Sequence, residues 1–209
     1  MRNTAINKEI QTSLSPNDVL QDLLDGNGRY INDELEEVAH LDLVNQTITG
    51  QYPKAVVLSC IDSRVPVEQV FDQSVGDIFV ARVAGNFENT DILGSLEYSC
   101  AVAGSKLVLV LGHESCGAVK AACDGVELGN ITSMLSNIMP AVKKSTEEVE
   151  GENNSSNNAF VAKTVENNVL LTMDRIREKS PILKDLEDNG SIKIVGGVYS
   201  LQNGKVNML

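Results

Sequence analysis

The chain has 209 residues, 42% of them apolar and 22% charged, a mixture that suits a folded body and excludes a disordered polar chain. Asp and Glu number 29 against 17 Lys and Arg; the net charge of -12 opposes nucleic-acid phosphates and anionic membrane surfaces as partners. No run approaches the roughly 18 apolar residues of a spanning helix, and the opening stretch 1–16 lacks the apolar segment of a secretory signal.

Residues 17–29 set Val19, Leu20, Leu23 and Leu24 at helical spacing, with Asn17 or Asp18 as a cap and Gly26 and Gly28 near the end. Residues 33–46 repeat the pattern less cleanly through Leu35, Val38, Ala39, Leu41 and Leu43. Residues 1–48 are therefore expected to form a helical arm, whose apolar face packs on a partner subunit or on the chain's own body. The β-branched run 55–58 reads as a buried strand that delivers Cys60, Asp62 and Arg64 at its C-terminal end. A strand over 77–83 ends at Ala84-Gly85-Asn86, and a helix is expected over 91–103. The strand at 106–111 is apolar almost throughout and closes on Gly112-His113. Helices over 116–123 and 130–142 lead to a polar, acidic loop at 143–158. A long helix over 160–179 stops at Ser180-Pro181, a short one follows over 182–188, and 192–199 reads as a strand. Asn203-Gly204 is a hairpin turn into 205–209. Apolar strands alternating with helices imply a parallel sheet covered on both faces. The C-terminal part has too little apolar content to form a core alone, so 1–209 reads as a single domain.

Four cysteines and two histidines leave few candidates for soft-ligand chemistry. A chain of this length does not need disulfide staples, so reduced thiols and a cytoplasmic setting are expected. Two short motifs, Cys60-Ile61-Asp62-Ser63-Arg64 and His113-Glu114-Ser115-Cys116, each begin where a buried strand stops. In open α/β sheets, ligands gather at the carboxyl ends of the strands. Two thiols and one imidazole form a zinc ligand set that leaves a fourth position for water. Taken singly, a strand-end cysteine is most often a small buried apolar side chain, and Asp62 with Arg64 is an ordinary surface ion pair. Taken together, the motifs point to zinc. Arg64 would keep the Asp62 carboxylate ionised and away from the metal, free to accept a hydrogen bond from an activated water. Cys100 sits beside Ala101 and Val102 in a helical pattern and reads as core. Cys123 reads as inert, and His40 as a surface or packing residue.

These motifs resemble those of the β-class carbonic anhydrases. The likeness runs through residues 20–30, Cys60 to Pro66, Gly76 to Asn86, Gly94 to Tyr98 and Gly112 to Val119, with an echo at Gly197-Val198-Tyr199. The resemblance implies a parallel core in the order 2-1-3-4 with an added antiparallel edge strand, flanking helices, and N-terminal helices that pack on a partner in a homodimer or homotetramer. It implies Cys60, His113 and Cys116 as zinc ligands and Asp62 with Arg64 as the gating and orienting pair. Gln51, Phe79, Tyr98 and the backbone amide of Gly117 would form a substrate pocket lined by both chains of a dimer. Gln51, Phe79 and Tyr98 together resemble the plant-type branch. The branch regulated by bicarbonate carries a Trp where this chain has Val57, and no Trp occurs anywhere, so that second bicarbonate site is not expected. The implied activity is reversible hydration of carbon dioxide to bicarbonate and a proton, by attack of zinc-activated hydroxide. Two alternatives differ in kind: a carbonyl sulfide or carbon disulfide hydrolase on the same scaffold, and a catalytically silent bicarbonate-sensing or structural zinc protein.

Overall fold

The computed structural model describes residues 3–209. Five strands, β1 (Ala55–Ser59), β2 (Ile78–Arg82), β3 (Leu107–His113), β4 (Lys193–Tyr199) and β5 (Val206–Met208), lie in the order β2-β1-β3-β4-β5. The first four are parallel, and β5 returns antiparallel to β4 across the turn that holds Asn203 and Gly204. β1 and β3 are buried along their whole length, as their unbroken apolar runs require. Ala55 and Val57 pack with Val19, Leu23 and Phe71 on one face; Val56 and Leu58 pack with Leu96, Val169 and Ile176 on the other. From β1 the chain passes to β2 on one side and then crosses to β3 on the other. This creates a switch point between the C-terminal ends of β1 and β3. Ser59 pairs with Leu111, so Cys60 and His113 emerge together at that point.

The helices are α1 (Lys8–Ser13), α2 (Pro16–Ile31), α3 (His40–Gln46), α4 (Val67–Val70), α5 (Thr90–Glu97), α6 (Gly117–Cys123), α7 (Gly129–Leu135), α8 (Met139–Glu148), α9 (Asn158–Lys179) and α10 (Pro181–Asp188). α2 begins with a capping box between Ser15 and Asp18, and Asn157 caps α9. Of the opening stretch, Met1 and Arg2 lie outside the described residues; α1 occupies part of the remainder. Among the described residues, no helix is long and apolar enough to cross a membrane.

Several elements differ from expectation for identifiable reasons. The helix expected over 33–46 survives only as α3. Asp33 takes a left-handed φ of 57°, and Glu36 N–H then donates to the Asp72 carboxylate, which holds the acidic stretch outside any helix. The helix expected over 130–142 contains Pro140, whose ring clashes with the preceding turn of a helix. The chain breaks there, and Pro140 falls in the first turn of α8, where it is tolerated. α8 then continues through Glu148, so 143–148 is helical and the polar loop is confined to 149–157. That loop is docked: Ser155 N–H and Oγ donate to the Asp124 carboxylate at 2.8 and 2.6 Å. The helix expected over 91–103 changes pitch at Tyr98–Val102, a single π turn that buries Cys100 and leaves Tyr98 exposed.

Gly26 shows how closely α2 packs on the sheet's lower cover. A Cβ there would lie 1.9 Å from the Phe71 carbonyl oxygen, a backbone atom that cannot swing aside. Helix propensity alone favours Gly26→Ala by about 1 kcal/mol. The packed structure reverses that sign, and we expect a loss of about 3 kcal/mol in urea denaturation, as for an overpacked core. A stabilised variant would contradict the contact.

Candidate metal centre

Cys60 leaves the end of β1, and His113 is the last residue of β3. The chain then reverses through Ser115 at a left-handed φ of 52° and sets Cys116 immediately before α6. Cys60 Sγ and Cys116 Sγ are 3.9 Å apart. With a ring nitrogen of His113 they form a set of buried donor atoms that all lie within 4.8 Å of one another.

The imidazole is oriented by its neighbour. His113 Nδ1 donates to the Glu114 carbonyl at 2.9 Å, which leaves the Nε2 lone pair for the centre. Glu114 is itself fixed. Its N–H donates to the Tyr199 carbonyl at 3.0 Å, and its carboxylate accepts from Ser200 Oγ at 3.1 Å and Leu201 N–H at 2.9 Å. His113 Nε2 is buried without a hydrogen-bond partner; Asp62 Oδ2, at 3.8 Å, is too distant to be one. An orphaned nitrogen buried beside two thiols is costly unless a cation completes it.

The two sulfurs strengthen this reading. The Cys60 thiolate accepts from the Cys116 thiol, which pulls its pKa well down, and Gly85 N–H at 3.3 Å assists. Cys116 is pushed up because it donates to Cys60 and is itself buried, so a second negative charge has no outlet without a cation. By contrast, burial pushes Cys100 up to about 12 and Cys123 upward, so neither is a ready thiolate. Two thiolates and a neutral imidazole match the donor chemistry of zinc, and three protein donors leave one position open.

Beside the donors, Asp62 and Arg64 form a two-pronged pair. Arg64 Nε donates to Oδ1 at 2.9 Å and Nη2 to Oδ2 at 2.8 Å, and the Arg64 backbone N–H adds a bond to Oδ1 at 2.9 Å. The Arg64 guanidinium holds the carboxyl down at about 2. Arg82 was not among the expected site residues, yet its guanidinium donates to the carbonyls of Cys60, Asp62 and Val65 at 2.8, 2.7 and 3.0 Å. Its signal in the sequence was a cation closing β2, the strand whose last residue pairs with Ser59.

Of the expected substrate-binding residues, Phe79 and Tyr98 lie in a groove of their own. Phe79 and Tyr98 pack together, with ring centroids 6.3 Å apart and planes tilted by 57°. They line a cavity of about 600 Å³ with Val56, Ala81, Gly94 and Ser95, and none of the three donors lines it. Gln51 is exposed ahead of β1. Gly117 opens α6 next to Cys116 and has open space where a side chain would stand.

The residue pattern of the carbonic anhydrase family matches residues 55–206. Carbonic anhydrase 2 of Mycobacterium tuberculosis is 34% identical over 185 residues, covering 88% of this chain and 87% of that protein. The carbonic anhydrase of Mycolicibacterium smegmatis is also 34% identical, with 89% of each chain covered. Among solved structures, the Coccomyxa β-carbonic anhydrase in complex with acetazolamide superposes with a TM-score of 0.72 at 26% identity, covering 91% of this chain and 86% of that one.

Zinc content checks the donor set. Wild-type protein equilibrated with zinc should carry one ion per chain. Cys60→Ser should weaken zinc in chelator competition by more than about tenfold, beyond the low end of the loss seen for an outer-sphere partner. Equal affinities would remove Cys60 as a donor.

Proposed function

Because this chain belongs to the β-class carbonic anhydrase family, we propose that Cys60, His113 and Cys116 hold its zinc and that the residues around them carry the chemistry. The activity is zinc-dependent hydration of carbon dioxide to bicarbonate. The observation that carries it is the buried Cys-His-Cys cluster, set at the switch point of a sheet whose sequence matches the family from 55 to 206. When bound there, zinc supplies the Lewis acidity that makes water a nucleophile near neutral pH.

The protein's own groups do the rest. Arg64 occupies both oxygens of Asp62, so the carboxylate stays ionised and does not take the open fourth position. Asp62 Oδ2, 3.8 Å from His113 Nε2, has acceptor capacity left for a hydrogen bond from the attacking water, which fixes that water's orientation. Carbon dioxide is uncharged and needs an apolar wall, which the Phe79–Tyr98 groove provides. The Gln51 side-chain amide and Gly117 N–H would donate to the substrate oxygen on which negative charge develops.

Since the groove and the donors stand apart within one chain, the complete pocket is composed from two copies. The working unit is then a homodimer or homotetramer, with the N-terminal helices over the partner. The exposed side chains of Leu41, Ile48 and Val102 support that reading, since they are 77%, 73% and 71% accessible in the isolated chain. Gln51, Phe79 and Tyr98 together favour the plant-type branch, and the four unpaired cysteines suit a cytoplasmic setting.

Stopped-flow hydration on zinc-replete protein tests the roles. Asp62→Ala should keep its zinc and lose about 100-fold in turnover, the scale of misplacing a reacting group. A zinc-loaded variant at full rate would take Asp62 out of the mechanism. Carbon dioxide should also outpace carbonyl sulfide and carbon disulfide on the wild type, and the opposite ranking would move the substrate assignment.

A further inference from the structure

The long helix α9 carries polar residues where its core stripe should be apolar. Asn168, Thr172, Arg175 and Lys179 follow one another at intervals of four, three and four residues, the repeat of one helix face. Asn168 and Thr172 are buried at 1% and 0% exposure. Buried polar side chains are costly unless partnered, and here the partners lie mainly in one short loop after β2. Asn168 Nδ2 donates to the Gly85 carbonyl at 2.8 Å. Arg175 Nε donates to the two oxygens of Glu88 at 2.8 and 2.9 Å, and Lys179 Nζ donates to Oε1 at 2.8 Å. Glu88 is itself buried, with its side chain 1% exposed. Thr172 Oγ1 accepts from Arg175 Nη2 at 3.1 Å, which steadies the guanidinium.

The loop needs such a template. Gly85 at φ 87° and Asn86 at φ 42° are both left-handed, and the Asn86 N–H to Val83 carbonyl bond closes the turn. A side chain at Gly85 would meet Ile138 Cδ1 at 2.5 Å, and the left-handed φ itself favours glycine there. Gly85 N–H is the group that donates to Cys60 Sγ. Asn168 Oδ1 is buried without a partner, so its amide is held here for what Nδ2 does.

We infer that Asn168 is a positioning residue for the zinc centre: by gripping the Gly85 carbonyl, it keeps the Gly85 amide aimed at the Cys60 sulfur. The inference rests on Cys60 being a zinc ligand. An N–H donor on a ligand sulfur withdraws charge from the bond to the metal and leaves the metal a stronger Lewis acid. Outer-sphere partners tune metal sites in this way.

The test uses Asn168→Leu, close in volume and unable to donate, in the full-length protein loaded with cobalt(II) or with cadmium-113. Wild-type protein should show a sulfur-to-cobalt charge-transfer band and a coupling between cadmium-113 and the Gly85 amide proton through Sγ. The variant should lose the coupling and shift the band to longer wavelength. Its zinc form should lose about tenfold in turnover at neutral pH, regained as pH rises, because the midpoint of its pH profile moves upward. A purely structural role would lower thermal stability without moving band or midpoint. If Asn168→Leu does not fold, Asn168→Ser is measured by the same criteria. A wild-type coupling that is absent, or a folded variant with coupling and band unchanged, overturns the inference. A sulfur-to-cobalt band left at full strength in Cys60→Ser would instead overturn Cys60 as a ligand.

Discussion

Two thiols and one imidazole nitrogen are confined together in the buried interior, and this confinement organises the structure. Sulfurs 3.9 Å apart cannot both ionise there without a cation, and the buried Nε2 of His113 has no protein partner. The remedy comes from outside the chain, and the fold is arranged to receive it. Parallel pairing of β1 with β3 sets the register that brings Cys60 and His113 to one end of the sheet. The left-handed Ser115 then returns Cys116 to the same place.

Charge around the centre runs against charge over the whole molecule. A chain with a net charge of -12 places two arginines beside the donors. Arg64 faces the Asp62 carboxylate and settles its ionisation and direction. Arg82 faces backbone carbonyls and holds the loop from Cys60 to Val65 in shape. The two cations act differently: one controls a side chain that can accept a hydrogen bond at the centre, and the other controls the geometry of its support. An acidic exterior is compatible with a product anion because the local field at the site is set by these nearby groups.

Much of this was legible in the sequence because it follows from short-range pattern. Unbroken apolar runs gave β1 and β3, and strand ends carrying cysteine and histidine gave the donors. The misplaced elements were decided by single residues: Pro140 split one expected helix, and left-handed Asp33 with the Asp72 carboxylate unmade another. What sequence pattern could not supply was contact between distant segments. Gly85 reaches Cys60 only once the loop after β2 has folded back, and Asn168 reaches Gly85 only across α9. A polar residue at core spacing on α9 was the available signal for that contact. Nor could sequence pattern show that Phe79 and Tyr98 line a groove that none of the three donors lines.

The central claim is that one zinc ion is held by two sulfurs and one imidazole nitrogen with a position left for solvent. X-ray absorption at the zinc edge of the wild-type protein reads this directly. The account predicts two sulfurs at about 2.3 Å and two nitrogen or oxygen neighbours at about 2.0–2.1 Å, one of them exchangeable. A shell with a single sulfur, or one with four ligands all from the protein and none exchangeable, would contradict it.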